Sequence, residues 1–312
     1  MSSGIKRVLI VCSINHGKLS PFVKEQTDSL ANCGIETDYY FINGKGIKGY
    51  LKNLKSLRLK IKEYAPDLIH AHYGFSGLLC SLQRIAPVIV TFHGSDVQLG
   101  FRNFILSKIT MILCRNYIFV SDNLKKIAKS KKGMVIPCGI DTELFKPMDK
   151  MVCREKLNLD TQMKYVLFSS HFENEVKNYP LAKEALIQLN DPSVELLALK
   201  NYSRQEVALL MNAVDVCLLT SFSEGSPQFI KEALACNRPI VSTKVGDVEN
   251  LFQGIENVYI TGHSPNLVAS KIELALKSEC SSGRKKIELL RLDLKSVGEK
   301  LIDFYSQNLN FN

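Results

Sequence analysis

No stretch of the chain approaches the roughly 18 uncharged apolar residues that cross a bilayer, so any membrane contact is expected to be peripheral. There is no C-x-x-C pair either. The nine cysteines, spread from Cys12 to Cys280 with several inside apolar runs, read as buried free thiols of a reducing compartment, not as a disulfide framework or a zinc site. Asp-x-Asp is absent, no His/Cys/Asp cluster has ligand spacing, and neither an obligatory metal nor another cofactor is expected. The N-terminal "MSSGIKRVLIVCSINHGK" has the basic start and short apolar run of a signal peptide. A polar turn follows where a small-residue cleavage site is needed, so the run reads as a first strand and the expected location is the cytoplasm. No repeat of roughly 20 to 50 residues and no low-complexity tract is found.

What is present begins with size: 312 residues, 46% of them hydrophobic, are enough for two domains that each bury a core. Charge is uneven. The first 150 residues carry 22 Lys+Arg against 11 Asp+Glu, the remainder 18 against 20. An anionic partner for the first half is implied (nucleic acid, phosphorylated lipid or a membrane surface), the alternative being a solubilising face. Because no basic stripe is interleaved with aromatics, nucleic acid is not the expected partner. The excess concentrates in "KGIKGYLKNLKSLRLKIKEY", residues 45–64, read as one helix. Ile47, Tyr50, Leu51, Leu54, Leu57, Ile61 and Tyr64 form its apolar stripe, with Lys48, Lys52, Lys55, Arg58 and Lys62 opposite. An anionic inner-membrane surface met through residues 45–62 is the expected partner, and a merely solvated helix is the alternative.

Short β-branched runs alternate with helical segments: "RVLIVCS" (7–13), "TDYYFI" (37–42), "DLIHA" (67–71), "PVIVTF" (87–92), "YIFV" (117–120) and "MVIP" (134–137). After an irregular segment the rhythm restarts with "YVLFSS" (165–170), "VELLAL" (194–199), "VDVCLLTS" (214–221), "PIVST" (239–243) and "NVYI" (257–260). These are two α/β halves with parallel sheets. The expected domains are residues 1–146 and 147–312, with a terminal helix at about 296–312 able to cross back to the first. Loops at the carboxyl ends of both sheets would line a cleft between them.

The stretch "SEGSPQFIKEALACNRPIVST" (223–243) holds Glu224 and Glu232 on either side of a helix start. Gly225, Ser226 and Pro227 open the helix, and their turn, at the positive end of the helix dipole, suits a phosphate. Two carboxylates beside a phosphate site are hydroxyl acceptors of the kind a sugar nucleotide needs. Alternatively, Glu224 is only a charge on the dipole and Glu232 a surface residue. Lys177 is a flexible ammonium before another helix start, placed either to offset leaving-group charge or simply to be solvated. His93, beside Gly94 after a strand, is able to reach a sugar hydroxyl, or else is a capped loop histidine. His70 and His72 read as structural.

"SFSEGSPQFIKEALACNRPIVSTKVGDVENL" resembles the signature segment of the retaining glycosyltransferases of family 4. "PDLIHAHYGFSG", "TFHGSD" and "VIPCGIDTELFKP" extend the resemblance over most of the chain. The resemblance implies the GT-B architecture, two facing Rossmann-like domains, and by position it implies roles. Glu224 would contact donor-sugar hydroxyls, Glu232 the ribose diol, and backbone N–H groups around Ser226, Gln228 and Phe229 the diphosphate. Lys177 stands where the family places a lysine on that diphosphate, and His93 takes a donor-sugar role, with Asp96 orienting it or binding acceptor. Two departures stand out. Where the family has an arginine shortly before the lysine, this chain has His171, leaving Arg204 or Lys200 as substitutes. Where it has a Gly-Gly pair in the first loop, this chain has only Gly17, next to His16, which would touch acceptor or phosphate.

The resulting expectation is a retaining, hexosyltransferase-like enzyme. It moves sugar from a nucleotide diphosphate to a lipid-linked or polysaccharide acceptor in cell-surface glycan synthesis, such as lipopolysaccharide or capsule. A sugar-nucleotide epimerase of the same fold and a non-catalytic sugar-nucleotide-binding protein are the alternatives.

Overall fold

The computed structural model describes residues 4–14, 17 and 19–309. The chain divides into two compact units, the first ending at Gly139 and resuming at Leu294, the second being Ile140–Asp293. The first boundary precedes the one read from the sequence because Ile140 and Phe145, both fully buried, pack into the second unit's core.

In the first unit the elements run β1 (Arg7–Ser13), α1 (Pro21–Asn32), β2 (Glu36–Ile42), α2 (Gly46–Leu51), α3 (Leu54–Tyr64), β3 (Leu68–His72) and α4 (Gly74–Ser81). They continue as β4 (Val88–Phe92), α5 (Ser95–Gln98), α6 (Phe101–Cys114), β5 (Asn116–Phe119), α7 (Asp122–Ile127) and β6 (Met134–Val135). The second unit contains α8 (Lys150–Lys156), β7 (Lys164–Phe168), α9 (Tyr179–Leu189), β8 (Val194–Ala198), α10 (Arg204–Ala213), β9 (Val216–Leu219) and α11 (Gln228–Ala235). It closes with β10 (Ile240–Thr243), α12 (Val248–Phe252), β11 (Val258–Thr261), α13 (Pro265–Leu276) and α14 (Gly283–Leu289); α15 (Leu294–Leu309) then packs on α1 of the first unit.

Each unit has one parallel sheet, ordered β2-β1-β3-β4-β5-β6 and β11-β10-β9-β7-β8. The interior strands are apolar runs because both faces are covered. On one face of the first sheet, Val23 and Leu30 of α1 meet Val297, Leu301 and Tyr305 of α15. On the other, Leu57 of α3, Leu79 of α4, Met111 of α6 and Leu124 of α7 share a core. In the second unit α9 and α13 cover one face, and α10, α11, α12 and α14 the other.

Residues 45–64 form two helices, not one. Asn53 breaks them: its amide nitrogen donates to the carbonyls of Asn43 (3.0 Å) and Gly49 (2.8 Å), the second being the acceptor a continuous helix would offer to the Asn53 backbone. Leu57, Ile61 and Tyr64 of the expected stripe are buried, Tyr50 and Leu54 lie against the core, and Leu51 is exposed. The same stretch, Gly44 to Gly49, has G-x-G-x-x-G spacing, but it follows the edge strand β2 and opens a six-residue helix. A Cβ on Gly49 would come within 2.8 Å of the Gly44 backbone, so that glycine serves a close turn. Most cysteines are buried and none is paired among the described residues, whereas Cys280 is exposed, contrary to the reading of buried thiols.

Candidate active site

In the second sheet the chain leaves β7 toward β8 on one side, while β9 leads to β10 on the other. The carboxyl ends of β7 and β9 therefore flank the switch point at which open parallel sheets form a crevice. Side-chain and backbone hydrogen bonds draw the loops above these strands together. Thr220 Oγ1 donates to the carbonyls of Lys177 (2.8 Å) and Asn178 (3.1 Å), Phe222 N donates to Val176 O (3.0 Å), and Thr243 Oγ1 donates to Ser221 O (2.8 Å). Lys177, at the end of the short 3-10 turn Glu175–Lys177, is thereby brought to Glu224: its ammonium donates to Glu224 Oε1 at 2.5 Å, and Ser221 Oγ donates to the same oxygen at 2.6 Å. Their side chains are only 20% and 15% exposed, so neither is an ordinary solvated charge.

Helix α11 begins at Gln228, three residues later than expected. Pro227 is its N-cap and the turn Gly225-Ser226 lies outside it, with Gln228 and Phe229 as its first residues. Ser226 Oγ donates to Asp247 Oδ2 (2.7 Å), and Gly246 (φ 56°) lies so close that a Cβ there would sit 3.0 Å from Gly225 O. The turn is thus braced from the loop after β10. Glu232 is not a surface residue: it is 4% exposed and accepts a 2.6 Å hydrogen bond from Arg204 Nη2. Arg204 opens α10 after a Ser203/Glu206 capping box, with its guanidinium 4.6 Å from the Phe145 ring centroid. His171 and Lys200 instead meet Glu173, at 3.1 and 2.9 Å, and the Lys200 ammonium, then the backbone and His171, pull the Glu173 carboxyl down to about 2. Of the substitutes for the missing arginine, Arg204 is the one joined to a signature glutamate.

In the first unit, His93 follows β4. The ring of His72 contributes Nδ1 to a 3.0 Å hydrogen bond with His93 Nε2, and His93 is ringed by Phe22 and Tyr73 at 4.9 and 4.7 Å between centroids. Asp96, buried in α5, holds the loop backbone, accepting from the N–H groups of Gly94 (2.9 Å), Gly74 (3.1 Å) and His93 (3.2 Å). Burial pushes its carboxyl up to about 6 against the pull of those donors. His70 is structural: Tyr305 Oη lies 2.6 Å from its Nδ1 and Thr91 Oγ1 2.7 Å from its Nε2. Burial pushes the His70 imidazolium down to about 3, and burial together with the neighbouring histidines holds His72 far below the usual range. Gly17 is exposed in the loop after β1, with its N–H on Ile14 O at 2.7 Å, and His16 lies outside the described residues.

The sequence reading missed Ser221, Asp247, His72 as partner of His93, and the Arg204–Glu232 pair. Only Arg204 had a local signal, its place at a capped helix start.

Two open parallel sheets of these strand orders, superposing on solved GT-B structures, define a doubly wound protein of the GT-B class. Residues 8–144 match the profile of Glycosyltransferase Family 4 and residues 164–278 that of Glycosyl transferases group 1. The chain belongs to the family 4 glycosyltransferases. It is 27% identical over 248 residues to TuaC of Bacillus subtilis, a glycosyltransferase whose name provisionally assigns it to teichuronic acid biosynthesis. That match covers 69% of this chain and 62% of the relative, less than two thirds of the relative's length. Among solved structures, sucrose-phosphate synthase from Thermosynechococcus elongatus superposes with a TM-score of 0.84 at 16% identity, covering 98% of this chain and 100% of that one. The Anabaena protein HepE, solved with UDP and glucose, superposes with a TM-score of 0.76 at 17% identity, covering 97% and 99%.

Proposed function

We propose that the protein transfers a hexosyl group from a nucleoside diphosphate sugar to an acceptor hydroxyl with retention at the anomeric carbon. The observation that carries this reading is the Lys177–Glu224 pair, set at the β7/β9 switch point beside the braced turn Gly225-Ser226. A donor diphosphate takes over the Lys177 ammonium and the N–H groups at the start of α11, which frees Glu224 to accept from sugar hydroxyls. Glu232 accepts from the ribose diol, with Arg204 alongside to carry phosphate charge. The anomeric C–O bond then breaks toward the diphosphate. The acceptor oxygen bonds to the same face, and its proton passes to the departing phosphate oxygen. Lysine and helix dipole neutralise the leaving group, so no metal is required. A nucleotide donor accords with the UDP held by the HepE structure.

The acceptor in this reading is a lipid-linked or polysaccharide glycan of the cell surface, met at the cytoplasmic face of the membrane. No helix among the described residues is long and apolar enough to cross a membrane. Lys48, Lys52, Lys55, Arg58 and Lys62 are all exposed on α2 and α3 and at the break between them, which suits contact with anionic lipid.

Incubation with labelled UDP- and GDP-sugars and a lipid-linked acceptor tests the reading, with the product anomer read by NMR. It predicts acceptor-dependent product of retained configuration, unaffected by EDTA. Donor epimerised without acceptor, an inverted product, or strict dependence on magnesium or manganese would overturn it.

A further inference from the structure

Helix α6 is apolar on both sides. Met111 and Cys114 face the sheet, while Phe101, Ile105, Ile109 and Ile112 recur at helical spacing on the opposite side, with Phe101 79% and Ile112 76% exposed. Leu99 and Leu113 widen the row, both more than two-fifths exposed. A helix that only meets water carries polar residues at such positions, and a contiguous apolar row marks a surface that something covers.

The surrounding charge says what. Residues 99–133 hold eight Lys+Arg and one acid, Asp122; residues 45–64 hold seven and one, Glu63. Helices α3, α4, α6 and α7 all pack on the same side of the sheet, and Arg58 Nη2 of α3 donates to Leu82 O at the end of α4 (3.0 Å). The outer surfaces of α3, α6 and α7 therefore look the same way. On α3, exposed Leu59, with Leu51 just before the helix, lies among Lys52, Lys55, Arg58 and Lys62 along a shallow groove of about 440 Å³. A second copy docking by a two-fold axis would set this positive surface against itself. An anionic bilayer complements both its charge and its apolar row.

We propose that α6 is an interfacial anchor. Phe101, Ile105 and Ile112 enter the acyl-chain boundary of an anionic bilayer, while Arg102 and Lys108 on the same helix and the α3 basic face meet lipid phosphates. The proposal rests on the membrane-facing reading above and not on the donor chemistry.

The chain contains no tryptophan, so Phe101→Trp introduces a single indole reporter at an exposed position. With phosphatidylglycerol vesicles its emission should shift to the blue and be quenched by lipids brominated on the acyl chain. Combining Phe101→Ser, Ile105→Ser and Ile112→Ser should lower the vesicle partition coefficient by about tenfold or more, with nucleoside diphosphate binding unchanged. An indole that neither shifts nor is quenched at saturating vesicle would overturn the anchor, as would a triple variant that sediments like the parent. So would mass photometry showing a dimer that the triple variant abolishes, because the row would then be covered by a second copy. Loss of sedimentation in the Lys52/Lys55/Arg58/Lys62→Gln variant alone, with the triple variant unaffected, would leave a purely electrostatic contact and also reject the anchor. Vesicle insertion without nucleotide binding would reject the donor reading and leave the anchor standing.

Discussion

Glu224 and Glu232 sit on one local strand-turn-helix segment, which is why their spacing and setting were readable from sequence. Their partners were not. Lys177 is 47 residues from Glu224 and Arg204 is 28 from Glu232, and only the folded loops bring them together. Each pair implies a distinct kinetic effect. In the proposed reaction Lys177→Ala would remove a cation from the departing diphosphate, so it should lower kcat by about a hundredfold, with a smaller change in KM, measured at saturating donor. In the proposed reaction Glu232→Ala would remove a donor contact made equally in ground and transition states, and it leaves the Arg204 guanidinium without the Glu232 carboxylate, so it should raise the donor KM more than it lowers kcat. Equal losses of kcat in both variants would contradict this division of roles. His93→Ala should lower turnover as well.

Interior strand positions were legible because each is a short apolar run; helix boundaries were less so. The break at Asn53 depends on an amide side chain reaching Asn43 and Gly49 carbonyls, a tertiary competition that periodicity does not register. Asn53→Ala should cost about 1 kcal/mol, read from urea unfolding of the first unit. Besides the packing of Val297 and Leu301, the return of α15 places Tyr305 against His70. Because His70 and His72 are held neutral by burial, the folded chain resists protonating them. Their contribution to stability is full above the ordinary histidine value of 6.5 and is lost as pH falls toward about 3. Asp96, raised to about 6, works the other way: its contribution is present below 3.8 and lost as pH rises through about 6. The two histidines outweigh the one carboxylate, so amide protection in β3 and α15 should fall between neutral pH and about pH 4.5. Constant protection after correction for intrinsic exchange would contradict this.

For the molecule as a whole, the alternation of strands and helices made two α/β halves legible, and the charge count showed which half is basic. The outward row of α6 was not legible, because a helix apolar on two opposite sides does not say which of them is covered. The docking of α15 carries its own consequence. Ending the chain at Asp293 would strip Val297, Leu301 and Tyr305 from the first unit's core, so hydrogen exchange should accelerate in β1 and α1 and stay protected in β7 and β9.

The most direct measurement of the central claim is calorimetric titration of UDP, GDP and other nucleoside diphosphates into the parent protein and into Lys177→Ala and Glu232→Ala. The account predicts that one of them binds the parent and that each substitution weakens it by about tenfold or more. No binding by any nucleoside diphosphate, or affinity unchanged in both variants, would contradict a nucleotide-sugar site at the β7/β9 switch point.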